Sequence, residues 1–183
     1  MIGLFIGSFN PPTIAHLKIC LKLKKIYQKI VFVPVNSKDK NLIDIKKRID
    51  MLSIYTHHYS FLEIDDIMNN YSYLNYRILN ILRDKYHNVQ IIMGSDLLEK
   101  LDSFDNYQEL LDNYSFTIIT REGFNPRKII KERYSDYQNK FNIINFNNNI
   151  SSSIVRELLK ENQDTSMVLD PKIFKYIKEN DLY

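Results

Sequence analysis

The segment GSFNPPTIAHLKI at 7–19 gathers residue types suited to handling an anion. Gly7 lets the backbone turn tightly and approach a ligand, Pro11 and Pro12 stiffen the loop, and Thr13 can cap a following helix. The N–H groups at that helix start would then face a phosphate. His16 falls three residues after Thr13 on the same helical face, so both side chains can reach one polyphosphate. A second segment, SSSIVRELL at 151–159, offers the hydroxyls of Ser151, Ser152 and Ser153, with Arg156 returning on the same face as a guanidinium matched to phosphate oxygens. A third, MGSD at 93–96, combines Gly94, which permits close approach, with Asp96, which can accept from ribose hydroxyls. Lys38 and Lys40, in PVNSKDKNL at 34–42, could swing onto a triphosphate. Each segment has an ordinary alternative: a capped helix with a core histidine, a serine-capped helix with a surface arginine, an Asp capping the next helix, and solvated lysines. Arg48 reads as a surface helix charge.

The elements that must position these residues alternate between short apolar runs and longer stretches of helical period, which predicts a parallel sheet covered by helices. IGLFIG at 2–7, IVFVPV at 30–35, FLEID at 61–65, VQIIMG at 89–94, FTIIT at 116–120 and FNIINF at 141–146 are the expected strands. VQIIMG is apolar almost throughout, as a central strand buried on both faces should be. Helices are expected at 13–27, with Ile14, Leu17, Leu21 and Ile26 as the apolar face, and at 44–57, 73–84, 95–101, 106–113, 152–161 and 171–180. Asp170 and Pro171 open the last of these. Six strands with intervening helices make a doubly wound α/β sheet, in which ligands bind beyond the carboxyl ends of strands. The first and third segments begin where strands end, and the second follows a strand into a helix.

At 183 residues, with 44% hydrophobic and 26% charged residues, the chain reads as one globular domain, its stretch 151–183 a C-terminal helical part. No apolar run approaches the roughly 20 residues of a membrane span, and the opening MIGLFIGSFN has no basic n-region, so a cytoplasmic location is expected. The formal net charge of +3, with lysines scattered among acids, disfavours nucleic acid as a partner and suits a small anionic substrate. Cys20 cannot form an internal disulfide and reads as a small buried side chain.

GSFNPPTIAH resembles the first signature of the class I nucleotidyltransferases, a Gly-rich turn followed by His or Thr, two residues, and His. ISSSIVR at 150–156 resembles their I-S-S-T-x-x-R signature, completed by Ile150, with Ser153 in place of Thr. MGSD resembles their G-x-D segment, and the close SMVLDPKIFKYIKENDLY is similar to that of mononucleotide adenylyltransferases. Together these cover most of the chain. The resemblance implies a Rossmann-like nucleotidyltransferase fold and transfer of AMP from ATP to nicotinate or nicotinamide mononucleotide, giving an NAD-type dinucleotide and pyrophosphate. It implies ATP contacts from Gly7, Ser8, Phe9, Thr13, His16, Lys38, Gly94, Asp96, Ile150, Ser151, Ser152, Ser153 and Arg156. His16, Lys40 and Arg156 would be catalytic, with Mg2+ carried by ATP and no metal held by the protein. No general base is required, and His57, His58 and His87 read as surface residues.

The acceptor pocket departs from the bacterial nicotinate mononucleotide pattern. NNYSYLNYRIL at 69–79 lacks the Thr and Asp of S-Y-T-x-D-T-L, and the chain has no tryptophan. Tyr107 stands at the family's stacking position. Asn10, Tyr71, Ser72, Tyr73 and Arg121 are further acceptor candidates, with core packing as the alternative for the tyrosines. The lysine-rich loop resembles that of eukaryotic nicotinamide enzymes. Alternatives are a pantetheine-phosphate adenylyltransferase, a cytidylyltransferase (disfavoured by FNNNISSS in place of R-T-x-G-I-S-T-T) and a non-catalytic nucleotide sensor. Nicotinate versus nicotinamide stays open, and a homo-oligomer is compatible with the sequence.

Overall fold

The computed structural model describes residues 1–36, 41–146 and 150–183. Its six parallel strands are β1 (Ile2–Gly7), β2 (Lys29–Pro34), β3 (Leu62–Ile64), β4 (Val89–Gly94), β5 (Phe116–Ile119) and β6 (Phe141–Ile144), in the order β3-β2-β1-β4-β5-β6. This is the doubly wound, Rossmann-like sheet expected from the sequence. The chain forms two compact units, one of Met1–Ile6 with Leu74–Asn149, the other of Gly7–Tyr73 with Ile150–Tyr183.

In the first unit β1 pairs with β4 from Ile2↔Val89 to Phe5↔Ile92, β4 pairs with β5, and β5 with β6. Ile91, Ile92 and Met93 are consecutively buried, as the continuous apolar run requires of a strand covered on both faces. Helix α3 (Tyr76–Tyr86) is capped by Asn75, whose Oδ1 accepts from Ile78 N–H at 3.1 Å, and buries Ile78, Leu79 and Leu82. The helix expected at 95–101 is a single turn, α4 (Ser95–Leu98), followed by a 3-10 turn, and then comes α5 (Tyr107–Asn113). Helix α6 (Pro126–Arg133) has no counterpart among the expected elements. Its sequence PRKIIKER buries only Pro126 and Ile130, too thin an apolar stripe to register as a period.

In the second unit β2 pairs with β3 from Ile30↔Leu62 to Phe32↔Ile64. Helix α1 (Ile14–Leu23) is shorter than expected and buries a different face: Ala15, His16, Ile19, Cys20 and Leu23 are inside, while Leu21 and Ile26 are exposed. The inward stripe follows the i, i+4 rows Ala15–Ile19–Leu23 and His16–Cys20, whose small members allow close packing. Cys20 is fully buried, which pushes its thiol pKa far up and keeps it protonated. Helix α2 (Ile45–Thr56) is capped by Asp44, which accepts from Lys46 N–H at 2.7 Å. Helix α7 (Ser152–Lys160) buries Val155 and Leu159; α8 (Pro171–Glu179) buries Ile173 and Ile177 behind the cap at Asp170 and Pro171. Among the described residues no helix is long and apolar enough to cross a membrane.

Candidate functional site

The loop after β1 is built around Phe9. Its backbone sits in the left-handed region at φ 47°, a conformation costing on the order of 1–3 kcal/mol for a bulky side chain. That turn drives the ring inside, 2% exposed and edge-on to His16 and Phe32 at centroid distances of 5.1 and 5.3 Å. The ring passes so close to Gly7 that a Cβ there would stand 2.9 Å from Phe9 Cζ. Glycine at position 7 is therefore demanded by the loop's own aromatic residue.

Thr13 and His16 are both buried at the start of α1. The Thr13 backbone N–H donates to His16 Nδ1 at 2.9 Å, and the Thr13 hydroxyl lies 2.9 Å from the same nitrogen. This is a capping box with an imidazole in place of the usual carboxylate. A backbone N–H can only donate, so Nδ1 is an acceptor and the neutral ring carries its proton on Nε2. Thr13 thus orients His16; its own side chain is fully buried and does not reach outward as the sequence suggested. The Ile14 N–H donates to Val168 O at 3.1 Å and the His16 N–H to Thr13 O at 3.0 Å, so these two amides of the helix start are engaged within the protein.

Four side chains from elsewhere in the same unit hold this loop. Arg48, expected on the surface, is 0% exposed: Nη1 donates to Ser8 O at 2.7 Å and Val35 O at 2.8 Å, Nε to Ile43 O at 3.1 Å, and Nη2 to Asn36 Oδ1. All four acceptors are uncharged. Desolvation lowers the pKa of this guanidinium, partly opposed by Tyr183 and Asp44. From α7, Arg156 Nη1 donates to Asn10 O at 2.7 Å and Ser152 Oγ to Pro11 O at 2.8 Å. The Tyr183 hydroxyl donates to Asn10 Oδ1 at 2.7 Å. The serine hydroxyls of 151–153 each have a partner: Ser151 caps α7 through Ile154 N–H at 3.3 Å, Ser152 holds Pro11, and Ser153 accepts from Arg156 Nη2 at 3.2 Å.

The other unit carries a smaller polar cluster. Beyond β4, Asp96 Oδ2 meets Arg121 Nη1 at 3.3 Å, while Asp96 Oδ1 is buried without a hydrogen-bond partner among the described residues. Both side chains fold over Gly94, where a Cβ would stand 2.8 Å from Arg121 Nε. Ser95 Oγ accepts from the Arg121 backbone N–H at 2.9 Å. Tyr107, first residue of α5, is half-buried. In the unit of α1, Tyr71 and Tyr73 are 40% and 44% exposed and Ser72 is exposed, which excludes the core reading for these tyrosines. His57, His58 and His87 are exposed. Lys38 and Lys40 lie outside the described residues. Among those described, no group of three or more His, Cys, Asp or Glu could hold a metal ion.

Residues 4–158 match the cytidylyltransferase-like family. A protein of Acholeplasma laidlawii named as a probable nicotinate-nucleotide adenylyltransferase is 34% identical across 100% of this chain and 97% of its own length. The chain belongs to the nicotinate-nucleotide adenylyltransferase family. A member from Flavobacterium johnsoniae with the same name is 28% identical over 100% of this chain and 98% of its own. The solved structure of Plasmodium falciparum nicotinic acid mononucleotide adenylyltransferase complexed with NaAD matches with TM-score 0.83 and 25% identity, covering 100% of this chain and 96% of that one.

For this nicotinate-nucleotide adenylyltransferase family member, two residues at the site escaped the motif reading. Arg48 lies on the buried stripe Arg48–Met51–Leu52–Tyr55 of α2, an i, i+3, i+4, i+7 pattern that does signal an inward position. Tyr183 belongs to the closing Asn-x-Leu-Tyr, but nothing local assigns its hydroxyl a partner.

Proposed function

We propose that this chain joins ATP to nicotinate mononucleotide, with nicotinamide mononucleotide as the alternative acceptor, releasing pyrophosphate. A phosphate oxygen of the mononucleotide attacks the α-phosphorus of ATP, and the bond from that phosphorus to the oxygen bridging to the β-phosphate breaks. The attacking oxygen is already anionic at neutral pH, so the protein needs to position the reactants and neutralise charge. The observation that carries this reading is the His16 imidazole, held by the Thr13 N–H so that Nε2–H is a fixed donor. Aimed at the α- and β-phosphates, it stabilises the charge that develops as pyrophosphate departs.

Among the described residues Arg156 engages two of its five guanidinium donors, with Asn10 O and Ser153 Oγ, and the others are assigned to phosphate oxygens. Lys38 and Lys40 are assigned to the leaving pyrophosphate from the sequence pattern. Gly7, Ser8, Phe9, Thr13, Ile150, Ser151, Ser152 and Ser153 shape this ATP subsite. Gly94 and Asp96, in the other unit, are assigned to the nucleoside from the sequence pattern, and Asp96 Oδ1, with no hydrogen-bond partner among the described residues, is an acceptor suited to a ribose hydroxyl. Asn10, Tyr71, Ser72, Tyr73, Tyr107 and Arg121 are assigned to the acceptor. Mg2+ is assigned from the family resemblance to the triphosphate, where it would screen the phosphate charges. Cytoplasmic location belongs to the same proposal.

The test is to incubate the purified chain with ATP and Mg2+ against nicotinate mononucleotide, nicotinamide mononucleotide and phosphopantetheine, and with CTP in place of ATP. Pyrophosphate and dinucleotide are quantified. Release with a pyridine mononucleotide and ATP is expected; none with either pyridine acceptor refutes the proposal.

A further inference from the structure

Asn10 is 1% exposed, and the two ends of its carboxamide can be told apart. The Ile43 backbone N–H, which can only donate, faces Oδ1 at 3.4 Å, and the Tyr183 hydroxyl donates to the same oxygen at 2.7 Å. With the oxygen so assigned, the other end is Nδ2, and it is buried with no hydrogen-bond partner among the described residues. A buried amide donor without an acceptor is unfavourable in the folded state, so its persistence points to an acceptor that arrives from outside. The surroundings favour an anionic acceptor: Arg156 donates to the carbonyl of Asn10 itself, and the buried Arg48 donates to the carbonyl of Ser8 two residues earlier. Burial raises the Tyr183 pKa more than these two arginines lower it, so the phenol stays protonated as a donor.

We propose that Asn10 Nδ2 donates to a substrate phosphate oxygen, and that Tyr183 is the positioning residue that holds the carboxamide in the orientation this requires. The identity of the ligand rests on the nucleotidyl-transfer reading; the orientation of the amide does not. Tyr183 is far from Asn10 in the chain, so the closing segment sets the geometry of the loop that follows β1.

Tyr183→Phe removes one oxygen and leaves the ring. In steady-state assays of the full chain with MgATP and nicotinate mononucleotide it should raise the KM of one substrate about three- to tenfold while kcat changes less. A rise for ATP places Nδ2 on the triphosphate; a rise for the mononucleotide places it on the monoester. In an Asn10→Ala background Tyr183→Phe should have no further effect, because the group it positions is gone. Asn10→Asp keeps the acceptor for Tyr183 but exchanges the donor for a carboxylate oxygen, and should raise the same KM beyond Asn10→Ala. Unchanged KM values in Tyr183→Phe, or effects of the two substitutions that simply add, overturn the proposal. Wild-type turnover run alongside tests the transfer reading separately. If the wild type is inactive, that reading falls, and the same comparison is made on Kd for ATP and for nicotinate mononucleotide by calorimetry, with the same outcomes deciding.

Discussion

Replacing Arg48 with Met should destabilise the fold far more than a surface substitution. The guanidinium is fully buried and supplies hydrogen bonds to Ser8 O, Val35 O, Ile43 O and Asn36 Oδ1. A Met side chain of similar length fills much of the volume but leaves these acceptors without that donor, at about 1–3 kcal/mol for each that stays unsatisfied. Removing a buried charge that has no ion-pair partner among the described residues works in the opposite direction, because its desolvation penalty disappears. Setting the one against the other, we expect a net loss of about 3–5 kcal/mol, the low end of what four unsatisfied acceptors cost once the relieved desolvation is taken off. At roughly 2–4 °C per kcal/mol for a chain of this size, the melting temperature falls by about 6–20 °C. Arg48→Lys should recover only part, since one ammonium cannot reproduce a fork of donors. Urea denaturation followed by circular dichroism, with a thermal melt of the same samples, measures both. A surface charge would change stability by about 0.5 kcal/mol or less. If Arg48→Met stays within about 1 kcal/mol of wild type, these bonds contribute no net stability and the reasoning fails.

His16→Ala should still fold but lose about 2–4 kcal/mol of transition-state stabilisation, seen as reduced kcat at saturating substrates; near-normal turnover removes His16 from the chemistry. Tyr107→Ala should raise the acceptor KM several-fold with little change for ATP, and because the ring is half-buried its stability cost should fall well below the roughly 3–5 kcal/mol of a core aromatic. A sharp drop in melting temperature with unchanged KM would reverse that assignment. Stability should also fall in alkali. Burial raises the pKa of Cys20 above 9.0, and those of Tyr55, Tyr183 and Tyr114, the last to about 12, above 10.0, so the folded state keeps protons that the unfolded chain releases. Their contribution is complete below the unfolded values and is lost as pH rises beyond them, so the urea midpoint at about pH 10.5 should lie below that at about pH 8. An equal or higher midpoint contradicts the burial of these groups.

The sequence alone determined what depends on neighbours a few residues apart. Alternation of apolar runs and helical periods located all six strands, and the caps at Thr13, Ser151 and Asp170 could be read because a cap and the amide it serves are separated by two or three residues. The two candidate phosphate segments were legible for the same reason: each is one loop running into one helix. What the side chains do within those motifs was decided by tertiary structure. Thr13 turns inward to orient His16, Ser152 holds Pro11 from 141 positions away, and Tyr183 fixes Asn10 from 173. Arg48 was misjudged because charge predicts exposure on average, whereas here the folded backbone offers four acceptors in one place. Helix α6 was missed because its burial is confined to Pro126 and Ile130. Periodicity records which face of an element is apolar, but a hydrogen bond between distant segments leaves no period, and its partners are set only when the chain has closed around them.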